Sequence, residues 1–194
     1  MLLAHGNSKI YRKILCFNLP PIVTCPNHAL CKSDCYCQKA VVQYPAVRDR
    51  WSANYRMANN RPSHFMAQML LEMRHTRSKV IRVHCSGDFF SQRYVDSWAA
   101  IADSHPDWRF YCYTKALEIF DFSALRYLPN FNVINSICFD GLPNYGDAER
   151  MNLLADEGYH ICQGTTKAKK GPLCGRDCTW CHIKGNDKVA FKQH

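Results

Sequence analysis

The residues in this chain best suited to chemistry are cysteines: there are 12 among 194 residues, and seven fall in two short runs. The first run reads Cys25-Pro-Asn-His-Ala-Leu-Cys31-Lys-Ser-Asp-Cys35-Tyr-Cys37, and the second Cys174-Gly-Arg-Asp-Cys178-Thr-Trp-Cys181. A reduced cytosolic chain of this size gains little from disulfides, so metal ligation is the better reading. Three thiolates in one loop can ligate three irons of a four-iron, four-sulfur cluster and leave the fourth iron open to a substrate or cosubstrate. Zinc is the competing reading: Cys31 and Cys35 have a zinc-type spacing, with Cys25, Cys37 or His28 completing the set. In the second run, Cys162 supplies a fourth thiol, and four thiolates would close either an auxiliary iron–sulfur cluster or an all-cysteine zinc site. The intervening Thr-Thr-Lys-Ala-Lys-Lys-Gly-Pro is polar, so residues 163–194 are expected to need their metal in order to fold. Cys16, Cys85, Cys112 and Cys138 read as small buried core residues.

These residues need a scaffold, and the hydrophobic pattern supplies one. Lys13–Asn18 reads as a short buried strand stopped by Pro20 and Pro21. Residues 63–78 have a helical stripe of Phe65, Met69 and Met73, which we read as core rather than a ligand set. Lys79–Cys85 is a β-branched strand ending in Ser86-Gly87-Asp88. Ser91 then caps a helix through Ala102 that buries Tyr94, Val95, Trp98 and Ile101. Strands at Trp108–Tyr113 and Phe131–Cys138 flank a short helix at 123–128. A helix at 147–157 and strands at 159–162 and 189–192 complete the pattern. Six strands with long, mostly helical connections predict a parallel α/β sheet, open or in a partial barrel, without hairpins. In such folds chemistry gathers at the carboxyl ends of strands, where the first cysteine run, Ser86-Gly87-Asp88, Thr114-Lys115, Asn135 and Cys162 all fall. His84 and Tyr113 lie there too, and packing is the plainer role for both.

Composition narrows the function. A chain of 194 residues is one domain, and no apolar run approaches the ~20 residues of a membrane span. The opening Met-Leu-Leu-Ala is too short for a signal-peptide core, so a cytoplasmic protein is expected. Gly-rich dinucleotide fingerprints, phosphate-loop lysines and nucleophile elbows are lacking. Residues 1–79 hold 12 Lys and Arg against 3 acids, whereas residues 80–194 hold 13 of each sign. That basic front suits a polyanionic partner such as nucleic acid or a phosphorylated metabolite, or it is simply the solvated face of helices bearing Arg48, Arg50, Arg56, Arg61, Arg74 and Arg77.

A first strand followed by a three-cysteine loop, then a second strand ending in a small-Gly-acid triplet, resembles the radical S-adenosylmethionine superfamily. Asn18-Leu-Pro-Pro, Thr24-Cys25-Pro, Cys31, Cys35-Tyr36, His84-Cys-Ser-Gly-Asp-Phe-Phe-Ser91, Phe110-Tyr-Cys-Tyr-Thr-Lys115 and the Cys-rich end are, more closely, similar to a short phage-encoded family labelled gene product 88. The resemblance implies a partial (β/α)6 barrel over residues 13–162 and a Cys-rich auxiliary segment over 163–194. It implies a 4Fe-4S cluster on Cys25, Cys31 and Cys35, and S-adenosylmethionine held near Ser86, Gly87, Asp88, Tyr36, Lys115 and Asn135. Reductive cleavage to a 5′-deoxyadenosyl radical would require an external electron donor. Cys162, Cys174, Cys178 and Cys181 would hold the auxiliary cluster. The superfamily usually leaves three and then two residues between its cysteines, whereas the first run here leaves five and then three. The usual spacing occurs at Cys174, Cys178 and Cys181, but the superfamily carries its cosubstrate cluster after the first strand, which places it at the front. The alternative is a metal-stabilised nucleic-acid-binding or electron-transfer protein without cosubstrate chemistry.

Overall fold

The computed structural model describes residues 1–30, 35–136, 147–162 and 173–190. Cys31 and Cys138, and the polar linker after Cys162, lie outside them. The β-branched and aromatic runs form β2 (Ile14–Phe17), β3 (Val80–Val83), β4 (Arg109–Thr114) and β5 (Phe131–Asn135). These four strands are parallel neighbours in sequence order, with Cys16 opposite Arg82 and Arg82 opposite Tyr111. Sequential parallel order with helical crossovers is the arrangement of a barrel wall, but this wall does not close into a barrel among the described residues.

Two expectations need correction. A two-residue strand β1 (Ala4–His5) pairs antiparallel with β2, so the sheet is mixed and begins with a hairpin. The turn depends on Gly6, whose amide donates to the Ile14 carbonyl at 2.9 Å and whose missing Cβ makes room for the Ile10 and Tyr11 carbonyls. The last two strands, β6 (His160–Ile161) and β7 (Val189–Ala190), pair with each other and not with the main sheet.

The helices are α1 (Tyr36–Gln43), α2 (Pro45–Asn60), α3 (Pro62–Arg74), α4 (Gln92–Asp103), α5 (Ser123–Tyr127) and α6 (Asp147–Asp156). Pro45 and Pro62 start α2 and α3, where proline's fixed φ and missing donor cost nothing. Ser91 caps α4 by accepting from the Tyr94 amide at 3.3 Å. No helix among the described residues is long and apolar enough to cross a membrane.

Side-chain alternation gives the sheet two different faces. Leu15, Phe17, Ile81, Val83, Phe110, Cys112, Phe131 and Val133 point toward Phe65, Met69 and Met73 of α3 and Tyr94 and Trp98 of α4. Their rings meet edge to face, as Phe17 and Trp98 do at 5.5 Å and 72°. The methionine stripe of α3 is therefore core. Ile14, Cys16, Tyr111 and Ile134 point the other way, with Val80 and Tyr113 beside them. Ile10, Cys181 and Val189 cover that face. The Cys-rich segment is fastened there by Cys174, whose carbonyl accepts from the Tyr11 amide at 2.8 Å and whose amide donates to the Lys9 carbonyl at 3.1 Å.

Candidate functional site

The carboxyl ends of β2, β3, β4 and β5 are sewn together by polar contacts. Beyond β2, the Asn18 side chain accepts from the Cys85 amide at 2.7 Å, and the Leu19 amide donates to the Ser86 carbonyl at 3.0 Å. Asn18 is itself held from behind, because buried Asn54 of α2 donates to its carbonyl at 3.0 Å. The cysteine loop reaches β4 through Asn27, which donates to the Lys115 carbonyl at 2.5 Å. Lys115 Nζ continues to Ser136 Oγ at 2.9 Å, beyond β5. Asn135 ends β5 with an exposed side chain.

The Ser86-Gly87-Asp88 triplet sits in the middle of this seam. Gly87 has φ +79°, and a Cβ there would come within 2.6 Å of both Leu19 Cβ and Thr24 Oγ1. Glycine is needed on both counts, because it allows the turn and lets the cysteine loop pack against the triplet. Asp88 is buried and accepts from the Phe89 amide at 2.8 Å, the Thr114 hydroxyl at 2.7 Å and the Lys115 amide at 2.9 Å. Burial pushes its carboxyl upward in pKa, against those three donors. With three of about four acceptor positions taken, Asp88 chiefly ties β3 to β4. Ser86 Oγ is different: it is buried and has no well-formed hydrogen bond among the described residues. It lies beside Cys37, whose thiol it helps hold down in pKa while burial pushes that thiol up to about 11.

Tyr36 and Cys37 close this seam from the loop side. Tyr36 Oη donates to the Cys85 carbonyl at 2.6 Å, and Cys37 Sγ approaches the same oxygen at 3.4 Å. Cys37 is thus buried against β3, whereas Cys25 lines an open groove of about 340 Å³ with Thr24, His28, Phe90 and Phe120. Cys35, half-buried, is the residue preceding α1. His84 takes the rare φ of +69° and points toward the helices, its Nε2 2.9 Å from Tyr94 Oη. Burial pushes its pKa down to about 3, so the ring is neutral.

On the Cys-rich face, Arg82 stacks over Tyr113 at 4.9 Å, and its Nε lies 3.5 Å from the His84 carbonyl. Cys85 and Cys16 pair beside it. Their hydrogen bond draws the Cys85 thiol down in pKa with help from Arg82, and the same bond, together with burial, pushes Cys16 up. Tyr113 Oη donates to Cys181 Sγ at 2.8 Å, and Tyr111 Oη lies 3.9 Å from Cys174 Sγ. Cys178 Sγ lies 3.8 Å from His160 Nε2, and the His160 ring stacks on Trp180 at 4.6 Å and 10°. Burial pushes Cys181 up to about 12, and the charges of Cys174, Cys162 and Cys178 push it in the same direction. Cys162, Cys174 and Cys178 thus lie within electrostatic range of Cys181.

The donor types fit a metal better at the rear than at the front. The rear offers Cys162, Cys174 and Cys178 within electrostatic range of Cys181, an imidazole beside Cys178, and a phenol that donates to Cys181. At the front, Cys25 and Cys35 are described and Cys31 lies outside the described residues. Among the described residues, no set of three or more His, Cys, Asp or Glu side chains stands in ligating arrangement.

The structure thus brings Tyr36, Ser86, Gly87, Asp88 and Lys115 together at adjoining strand ends, and gathers Cys162, Cys174, Cys178 and Cys181 on one sheet face. Sequence reasoning missed Asn18 and Asn27 as ties, Arg82 as the charge within an apolar strand, and His160. Arg82 could have been noticed, because an arginine inside Val-Ile-Arg-Val requires a partner.

Comparison with known proteins adds relatives but no activity. A family model described as Gene product 88 matches residues 1–138. The "Gene 88 protein" of Mycobacterium phage L5 is 28% identical over 159 residues, covering 76% of this chain and 64% of that protein. The "Gene 88 protein" of Mycobacterium phage D29 is 26% identical over 158 residues, covering 76% and 63%. The chain thus spans less than two thirds of the length of these relatives. No solved structure matches.

Proposed function

The chain belongs to the Gene product 88 family, and we propose that it is an iron–sulfur enzyme of the radical S-adenosylmethionine type. Cys25, Cys31 and Cys35 would hold the cluster. The observation that carries this reading is Ser86 Oγ, a buried hydroxyl beside the Cys37 thiol with no well-formed hydrogen bond among the described residues, at the junction of the cysteine loop and the Ser86-Gly87-Asp88 turn. A buried polar atom left unsatisfied is costly and points to a group that the protein receives. When bound, cluster and cosubstrate together supply one-electron cleavage of a sulfonium. The protein's own residues do the positioning. Gly87 lets the loop close on β3, Asp88 locks the β3 and β4 ends, and Tyr36 holds the Cys85 carbonyl in place. The side chains of Ser86 and Lys115 line the seam and would meet polar groups of the cosubstrate.

Anaerobic reconstitution followed by iron and sulfide quantification, dithionite reduction with S-adenosylmethionine and chromatography for 5′-deoxyadenosine tests the proposal. Product from the unsubstituted chain and from Cys112→Ala, with none from Cys35→Ala, is the expected pattern. Iron that never cleaves the cosubstrate would sink it. A metal-stabilised nucleic-acid-binding or electron-transfer protein is the second reading, favoured by the use of Asp88 on strand ends rather than on a ligand. The substrate class we propose is a nucleic acid or another phosphorylated molecule. Arg50, Arg56, Arg61, Arg74 and Arg77 are exposed, and none forms an ion pair among the described residues. Duplex or single-stranded DNA binding that weakens steeply between low and physiological salt would support this substrate class, and salt-independent binding would argue against it.

A further inference from the structure

We propose that Cys85 and Cys16 are a redox-active pair, in which hydrogen peroxide oxidises Cys85 and Cys16 closes a disulfide with it. The pair stands apart from both cysteine runs and needs no metal. Arg82 is the neighbour that singles it out. This arginine is half-buried in the middle of the sheet, opposite Cys16 on β2 and Tyr111 on β4, and stacks over Tyr113 at 4.9 Å. An arginine withdrawn from water needs an anion, yet among the described residues Arg82 belongs to no ion pair with a carboxylate. Burial works against its charge, and Cys85 leads the thiols and phenols that support it, ahead of Tyr111, Tyr113 and Tyr36. A Cys85 thiolate is the counter-ion that the position of Arg82 calls for.

The strand ends hold the two thiols together. Cys85 is anchored on both sides of its backbone: its amide donates to Asn18 Oδ1 at 2.7 Å, and its carbonyl accepts from Tyr36 Oη at 2.6 Å. Cys16 lies within β2, and the two pack in the same cluster on the Cys-rich face of the sheet. Both are free thiols, and they are hydrogen-bonded to each other. That bond, with Arg82, draws Cys85 down to about 6 against the effect of burial, toward the thiolate form that reacts. Exposure sets the order of events, since Cys85 is half-buried and Cys16 fully buried, so that peroxide reaches Cys85 first. The Cys85 thiolate attacks one peroxide oxygen, the O–O bond breaks, and Cys85 becomes a sulfenic acid. The departing hydroxide takes up the proton that Cys85 released on ionising. The Cys16 sulfur then attacks the Cys85 sulfur, the S–S bond forms, and the sulfenic hydroxyl leaves as water with the Cys16 proton. In all, two thiols lose two electrons and peroxide is reduced to two waters.

The test is to expose the full, reduced chain to stoichiometric hydrogen peroxide, block the remaining thiols with iodoacetamide, and map the peptides by mass spectrometry after trypsin and chymotrypsin. Cleavage after Phe17 separates Cys16 from Cys25. A peptide pair joined by Cys16 and Cys85, released by a dithiol reductant, is expected. Cys16→Ser should leave Cys85 as a sulfenic acid that dimedone captures, and Cys85→Ser should leave Cys16 unoxidised. Arg82→Gln should slow oxidation of Cys85 by about tenfold or more, with Arg82→Lys recovering part of the rate. Far-UV circular dichroism checks that each variant is folded, and if Arg82→Gln is not, the two cysteine variants decide. A disulfide from Cys85 to Cys37 or any other cysteine overturns Cys16 as its partner. Oxidation of Cys85 no faster than that of the buried Cys112 overturns the pair outright, and an unchanged rate in Arg82→Gln overturns the part given to Arg82. Cosubstrate cleavage is read separately as 5′-deoxyadenosine, so none of these results decides the front-site reading.

Discussion

The two faces of the central sheet are closed by different means. On one, Phe17, Phe110 and Phe131 meet Phe65, Tyr94 and Trp98 from helices, a mainly apolar layer that includes the buried His84 ring. On the other, Ile14, Tyr111 and Ile134 meet Ile10, Cys181 and Val189, with Tyr11 and Cys162 partly buried beside them. The first face has enough apolar burial to hold itself together. The second is tied also by polar contacts: Asn132 donates to the Cys181 and Asn186 carbonyls at 3.1 Å, Tyr113 donates to Cys181 Sγ at 2.8 Å, and burial raises the Cys174 and Cys181 thiols in pKa, so a metal held there would add stability by replacing thiol protons.

Metal removal should separate the faces most strongly. Metal binding to small cysteine sites contributes on the order of 10 kcal/mol. If a metal is held at the Cys-rich face, chelation is expected to open residues 173–190 to limited proteolysis and to leave the α3–α4 face protected, as read by peptide mapping. Equal protection with and without chelator would remove the distinction. Trp98→Ala acts on the other face and should cost about 3–5 kcal/mol in urea denaturation whatever the metal content. Gly175→Ala comes next, since it places a Cβ against the Ile14 side chain and forces an alanine to φ +86°. A loss of about 1–3 kcal/mol is expected, together with weaker Co²⁺ binding. Loss of stability without loss of binding would show that the turn serves packing alone.

The smallest effects sharpen the helix-covered face. His84 has a folded pKa near 3, below its ordinary value of 6.5, because it is buried. The unfolded chain therefore binds a proton that the folded chain refuses between those values. Stability should fall as pH drops from about 6.5 toward 3, by up to ~1.4 kcal/mol per pH unit from this group. His84→Gln should flatten that limb in pH-dependent thermal denaturation, and an unchanged slope would show that the ring titrates freely. Ser91→Ala, which removes the α4 cap, should cost about 1 kcal/mol.

The helix-covered face was the more legible of the two in sequence. α3 and α4 repeat apolar residues at helical spacing, so Phe65, Met69, Met73, Tyr94, Val95, Trp98 and Ile101 could be assigned to the core directly, and all are buried. α2 lacks such a stripe, burying only Asn54 and Ala58, and its part in holding Asn18 depends on a contact 36 residues away in sequence. β1 was too short to leave a pattern, so the hairpin was missed. The site was legible as motifs but not as geometry. Ser86-Gly87-Asp88 stood out, but only the positions of Thr114 and Lys115 show that the acid is used on the strands. The cysteine runs were plain, but His160 lies outside both and has no spacing rule to reveal it.

The fastening of Cys174 to Lys9 and Tyr11 also sets an order of assembly. It joins positions more than 160 residues apart in sequence, so loop-closure entropy opposes it until the intervening sheet has formed. During synthesis the cysteine loop after β2 and its partners on β3 and β4 emerge well before Cys174 is made. Folding on the ribosome therefore begins with the front seam able to form beneath an uncovered Arg82–Tyr111–Tyr113 face, and the Cys-rich strap closes over that face only afterwards.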